Sequence, residues 1–257
     1  NILNQYAQNI LTIRLEDKEI GPEMLNPIKI IASDITSERE KVGKAIGGLI
    51  PYFLLMYCFM GAMLPAIELG ASEKEKKTLE TLLASPSSHF SILLGKWFAV
   101  FLISFLSAFF TILGLLFTLN IIPIGEETFT LLSNLLNIKT ITLVMLLITP
   151  MAAIFSAIAL SVSIYAKSFK EAQNLLSPLM IVVIFPALGG MMLPVELNST
   201  SALIPIYNVV LCCKEIMAGT IETFLLLEVI ISSFILSIIS IFFASKLFKK
   251  ESFIFRN

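Results

Sequence analysis

Few residues in this sequence have the type and spacing that catalysis needs. His89 is the single histidine, and a lone imidazole without a nucleophile or further ligands builds neither a triad nor a metal site. No Gly-x-x-x-x-Gly-Lys-Ser/Thr run is present to cradle nucleotide phosphates, and neither His-Glu-x-x-His nor Gly-x-Ser-x-Gly occurs. Cys58 and the adjacent Cys212 and Cys213 lack the spacing of a zinc site or a disulfide framework and read as packed apolar thiols. Asn198-Ser199-Thr200 fits a glycosylation acceptor but reads as a chance match. The expectation is therefore no catalytic residue, no metal and no cofactor.

Ionisable residues inside apolar stretches are costly and default to functional candidates. Glu228 is the foremost, followed by Ser232, Ser233, Ser237 and Ser240. It reads either as a translocation-path residue that lines a polar cavity or binds a cation, or as a hydrated carboxylate in the outer headgroup zone. Glu68 and Lys96 fall at span ends, where they can pair or snorkel. No buried charge pair and no internal repeat are evident.

The elements that must hold these residues are membrane helices. Of 257 residues, 56% are hydrophobic and only 14% charged, with a mean hydropathy of +0.89. A soluble domain carries about 25% charged residues, so a water-soluble globule of this composition would expose aggregating apolar patches. Net charge is −1 and the basic residues are scattered, so nothing points to nucleic acid. Five stretches reach the length of about 20 apolar residues that a spanning helix needs: about 45–68, 92–119, 138–165, 175–193 and 223–248. Pro150, Pro178 and Pro186 fall inside them and are expected to kink rather than break the helices.

Lysine and arginine assign the sides. Loops 72–89 and 166–174 and the tail hold Lys74, Lys76, Lys77, Lys167, Lys170, Lys246, Lys249, Lys250 and Arg256. Loops 120–138 and 194–222 hold only Lys214, with Lys139 at the border. The first set is expected to be cytoplasmic, with the C-terminus among it. Residues 1–44 are then external despite Arg14, Lys18, Lys29, Arg39, Lys41 and Lys44, as the end of a long translocated domain would be. Asn1 is not an initiator, and the chain reads as the C-terminal part of a longer protein.

The segment 72–86 is the most informative loop. Ser72 with Glu75 three residues on fits a capping box, Leu79, Leu82 and Leu83 follow at helical spacing, and Pro86 ends the run. A short amphipathic helix is expected, either resting on lipid headgroups or docking into a partner's groove. The stretch 194–219, with Pro205 and Asn208, suits short helices dipping back into the membrane, or a plain surface loop.

The run Ala71-Ser72-Glu73-Lys74-Glu75-Lys76-Lys77-Thr78-Leu79-Glu80-Thr81-Leu82-Leu83, with Pro86 and Gly95-Lys96, resembles the signature of type-2 ABC exporter permeases, nearest to a sodium-exporter-like branch. That family reads Ala-Gly-Glu-Lys-Glu-Arg-Gly-Thr-Leu-Glu here. Ser72 and Lys77 stand where the family has its two glycines, and Lys76 where it has arginine. Lys167-Ser168-Phe169-Lys170-Glu171-Ala172-Gln173 with Pro178 is similar to the family's second cytoplasmic loop, and Ile204-Pro205-Ile206-Tyr207-Asn208 to its external re-entrant segment. The resemblance covers about residues 40–250.

What the resemblance implies is an all-α, polytopic helical bundle with five spans here and a sixth in the full protein. Residues 1–44 would be a remnant of an external domain, 45–250 the permease domain with a coupling helix at 72–86 and a re-entrant segment at about 194–219, and 251–257 a cytoplasmic tail. The function implied is the permease subunit of an ATP-binding-cassette exporter in a bacterial plasma membrane, with sodium efflux suggested by the branch. Glu73, Lys74, Glu75, Thr78, Leu79, Glu80, Leu82 and Leu83 would couple to a cytoplasmic ATP-binding subunit, and ATP hydrolysis would belong to that separate chain. A second permease chain, as homo- or heterodimer, and membrane lipid complete the partners. An ion-gradient-driven transporter or channel and a non-transporting membrane scaffold stay open as alternatives.

Overall fold

The computed structural model describes residues 43, 47–78, 88–121, 126–192 and 195–248, all within the second of two compact units, residues 37–257. The expected external remnant, apart from Gly43, and the tail 251–257 lie outside the described residues. Helix α1 covers Leu49–Ile67, α2 His89–Ile121, α3 Glu126–Leu135, α4 Ile138–Tyr165, α5 Phe169–Met192, α6 Tyr207–Ala218 and α7 Thr223–Phe248, with a 3-10 turn at Ser201–Leu203. No strand occurs among the described residues.

Among the described residues, five helices are long and apolar enough to cross a bilayer: Leu49–Glu75, Phe90–Ile121, Ile138–Tyr165, Phe169–Met192 and Thr223–Leu247. These are the five predicted spans of an all-α polytopic membrane protein. Hydrocarbon offers backbone groups no partners, so each span must satisfy its own hydrogen bonds. Pro150 sits inside α4, and Pro178 and Pro186 inside α5, without ending either helix.

Helix α4 is the centre. Its apolar window is 72% buried, against 17–22% for α2, α5 and α7. Helix α1 packs against α2, α4 and α5, and α7 runs along α4. Between spans the hydrophobic effect gives little drive, so packing and polar contacts must join them. The Phe59 and Phe155 rings meet edge-on, with centroids 5.5 Å apart. Ser104 Oγ donates to Cys58 O at 2.7 Å, and Trp97 Nε1 to Ala153 O at 3.2 Å. Phe117, Phe185 and Phe242 are largely exposed on the outer helices, where lipid would meet them. All three cysteines are buried free thiols, as expected.

The start of the fourth span differs from the sequence reading. Helix α5 begins at Phe169 rather than near Leu175, so the predicted loop 166–174 shrinks to residues 166–168. Its start is fixed locally: Ser168 Oγ accepts from the Glu171 N–H at 3.3 Å, and Glu171 Oε2 accepts from the Lys167 N–H at 2.7 Å. This resembles a Ser-x-x-Glu capping box, with the glutamate reaching one residue beyond the cap to Lys167.

The long connection before α7 does hold short helices. In α6 every residue except Tyr207 and Glu215 is buried. Asn198 Oδ1 accepts from the Ser201 N–H at 2.9 Å to open the 3-10 turn, so this asparagine serves as a cap. Ile206 enters α6 at φ 71, ψ −57, a strained γ-turn conformation for a β-branched residue. Gly219 leaves it at φ 79, where the Thr220 N–H reaches Glu215 O and the Gly219 N–H reaches Ile216 O. That paired closure needs a left-handed residue, which glycine supplies at little cost.

Candidate functional site

The lysine-rich ends of the spans converge at residues 68–78. Ser72 does not start a helix there, contrary to the capping-box reading. Its backbone is already helical (φ −65, ψ −39), it makes no capping bond, and it is buried. An N-cap needs extended backbone, and α1 never releases the chain: it passes through a π-helical turn at Glu68–Ser72 directly into Glu73–Glu75.

The π turn is held against α4. The Ala71 N–H donates to Ser163 Oγ at 3.0 Å. Gly70 permits the approach, because a Cβ there would lie 2.4 Å from Ser163 Oγ and 2.8 Å from Ser163 Cβ. Single π turns of this kind concentrate at functional sites.

Beyond it, Glu73, Lys74 and Glu75 each reach a different helix. Glu73 pairs with Lys96 of α2, whose Nζ also donates to Leu69 O at 2.7 Å. Lys74 Nζ donates to Ile164 O in the last turn of α4, at 3.3 Å. Glu75 Oε2 accepts from the Phe169 N–H at the first turn of α5, at 2.9 Å. A cation at a helix C-terminus and a carboxylate at an N-terminus both complement the helix dipole. The four residues Glu73, Lys74, Glu75 and Lys96 thus tie α1, α2, α4 and α5 at one corner.

Lys96 is 7% exposed and its partner is Glu73, not Glu68. The sequence reading, which found no buried charge pair, missed this one because the two residues are separated by a loop. Glu68 instead lies 3.9 Å from Lys76 in a solvent-exposed pair. The segment closes with Lys77 in the left-handed region at φ 59, and Thr78 Oγ1 donates to Glu73 O at 3.1 Å. Of the remaining coupling candidates, Leu79, Glu80, Leu82 and Leu83 lie outside the described residues. The amphipathic helix expected over 72–86 is described only to Thr78.

Glu228 stands apart from this corner, on α7 beside a groove of about 640 Å³. Its Oε2 is shielded from solvent without a hydrogen-bond partner among the described residues. No group of three or more His, Cys, Asp or Glu that could hold a metal ion occurs among the described residues.

Five apolar spans, four of them tied at one corner by a Glu-Lys-Glu triplet, suit a transporter subunit, and comparison with known proteins decides the family. The chain matches the family described as ABC-2 family transporter protein over residues 1–246. The chain belongs to that family. It is 29% identical over 242 residues to a protein of Bacillus subtilis (strain 168) named ABC transporter permease protein NatB, which covers 94% of this chain. The chain spans 62% of the length of that relative. No solved structure matches it. For this ABC-2 family member, Glu73, Lys74 and Glu75 of the expected coupling motif also fasten span ends together.

Proposed function

We propose that this chain is the membrane-embedded permease subunit of an ATP-driven exporter, and that residues 68–78 receive force from a separate ATP-binding subunit. The observation that carries the reading is the triplet Glu73-Lys74-Glu75, fastened to Lys96, Ile164 and Phe169 on three other helices. A displacement applied to the exposed edge at Lys76–Thr78 would move α1, α2, α4 and α5 together. Rigid transmission of that sort is what nucleotide-driven closure of a partner needs to rock spans between inward- and outward-open arrangements. It can do so only if the partner binds the two arrangements with different affinity.

The lysine excess of this end, continued at Lys167, Lys170 and Lys246, supports a cytoplasmic placement with the C-terminus on the same side. A second permease chain would pack on one of the apolar outer faces of α2, α5 or α7. The segment with α6 would re-enter from the outside. Sodium efflux is the finer reading and rests on the resemblance to the sodium-exporter-like branch.

Glu73 is a poor site for testing partner binding, because reversing it would break its internal pair with Lys96. Lys76 and Lys77 are exposed and suit the purpose. With affinity-tagged permease in detergent, a nucleotide-binding subunit should co-purify from its native membrane. The Lys76→Glu/Lys77→Glu variant should lose it while keeping the wild-type melting temperature. Purification with no ATPase at all would overturn the reading.

A further inference from the structure

The groove beside Glu228 is apolar toward both ends, with its few polar residues between them. Leu203, Pro205 and Phe224 line its end near the start of α7, and Ile231, Ile235 and Ile239 line the part running down that helix. Between Glu228 and Ile239 the axis rises about 16 Å, the reach of an extended chain of about a dozen methylenes.

The polar atoms in its walls fall into two groups. Asn208 and Ser232 are satisfied: Asn208 Nδ2 donates to Ala202 O at 2.9 Å, and Ser232 Oγ to the same carbonyl at 3.0 Å. Glu228 Oε2 and Ser233 Oγ are not; each is shielded from solvent with no partner among the described residues. Ser233 is 2% exposed. Atoms with no accessible surface are closed to a groove ligand as well, so a ligand meets the part of Glu228 that lines the groove rather than Oε2. Among the described lining residues there is no Lys, Arg or His to answer the charge of its carboxylate.

We propose that this groove binds a cationic amphiphile, a primary ammonium on an alkyl chain, with the ammonium on Glu228 and the chain along Ile231–Ile239. An ammonium supplies three donors and the missing positive charge, and the apolar walls remove the chain from water. A zwitterionic phospholipid fits less well, since its phosphate would find no basic side chain in the lining. Sodium fits less well too, because a small hard cation needs a shell of oxygens, and these walls are chiefly aliphatic and aromatic. Binding stands on the groove alone; only the ligand's export as cargo would rest on the permease reading.

The test uses the full-length permease in nanodiscs and equilibrium binding of radiolabelled dodecylammonium. Wild type should bind it, with dodecanol and dodecylphosphocholine competing poorly. Glu228→Gln should weaken binding roughly tenfold or more, the loss expected for a hydrogen bond to a charged group. Ile235→Trp, which fills the groove without touching the carboxyl, should weaken it as well, and both variants should keep the wild-type melting temperature. Equal binding by Glu228→Gln, equal competition by dodecanol, or an Ile231→Cys disulfide between two permease copies would overturn the proposal. Loss of the ATPase partner would leave this result untouched, so the two readings can fail separately.

Discussion

Glu75 caps a helix it does not belong to: its Oε2 accepts the Phe169 N–H, 94 residues away in sequence, at 2.9 Å. The amide lies in the first turn of α5, where backbone donors have no partner inside the helix. Ser168 Oγ takes the Glu171 N–H of that turn, and Glu75 takes the Phe169 N–H from the end of α1. Two segments that resemble the family's cytoplasmic loops are thus joined by a direct hydrogen bond.

Replacing Glu75 with Ala should leave the fold intact and loosen this junction. Glu75 is exposed, so water would take over part of the bond and the cost should be about 0.5–1 kcal/mol. Hydrogen exchange at residues 167–172 should accelerate markedly while α4 exchanges as before. If the proposed function holds, ATP hydrolysis in a complex reconstituted with the ATP-binding subunit should persist while transport falls several-fold. Unchanged exchange at Phe169 would show that the tie carries no energy.

The Lys96–Glu73 pair should behave as a buried ion pair. Removing either charge strands the other, so Glu73→Gln or Lys96→Met should each destabilise the protein by about 3 kcal/mol, discounted somewhat because the Glu73 side chain is 24% exposed. The double variant Glu73→Gln/Lys96→Met should recover a large part of that loss, which a double-mutant cycle on thermal or denaturant unfolding would measure. Strictly additive losses would mean that the two groups do not interact.

The spans were legible in the sequence because lipid imposes a length and composition that few other folds share. Residues 138–165 and 223–248 were bounded correctly, as Asn137 caps α4, accepting from the Thr140 N–H at 2.9 Å. The junction at residues 68–78 was located but its form was misread. Ser72-x-x-Glu75 and Ser168-x-x-Glu171 carry the same local signal, and only the second forms a cap. Whether the preceding chain is already helical is a tertiary matter, decided at Ser72 by Gly70 packing on Ser163. Glu228 was flagged by its cost in a span, whereas its groove depends on where Leu203 and Pro205 fold back.

Gly70→Ala should be destabilising for its neighbour's sake rather than its own backbone's. The added Cβ would fall 2.4 Å from Ser163 Oγ, and overpacking of this kind costs about 1–3 kcal/mol. Ser163→Gly should restore part of the loss in the double variant by vacating the space, though it forfeits the bond from the Ala71 N–H. Melting temperatures in detergent would read both effects. A Gly70→Ala protein as stable as wild type would show that α1 and α4 can separate here without cost.

Lys77 gives the cleanest test of how the family signature works. It stands where the resembling family has glycine, and its φ of 59 is the conformation that glycine adopts without a Cβ penalty. The glycine of the signature is then a helix stop after Glu73–Glu75, and lysine fills it under strain. Lys77→Gly should stabilise the protein by up to about 1 kcal/mol, offset in part by the greater freedom of the unfolded chain. Lys77→Val should destabilise it, because a β-branched side chain tolerates a left-handed backbone poorly. Thermal unfolding of the two variants beside wild type would decide it. If valine were tolerated as well as glycine, residue 77 would not hold the left-handed turn, and the junction would close some other way.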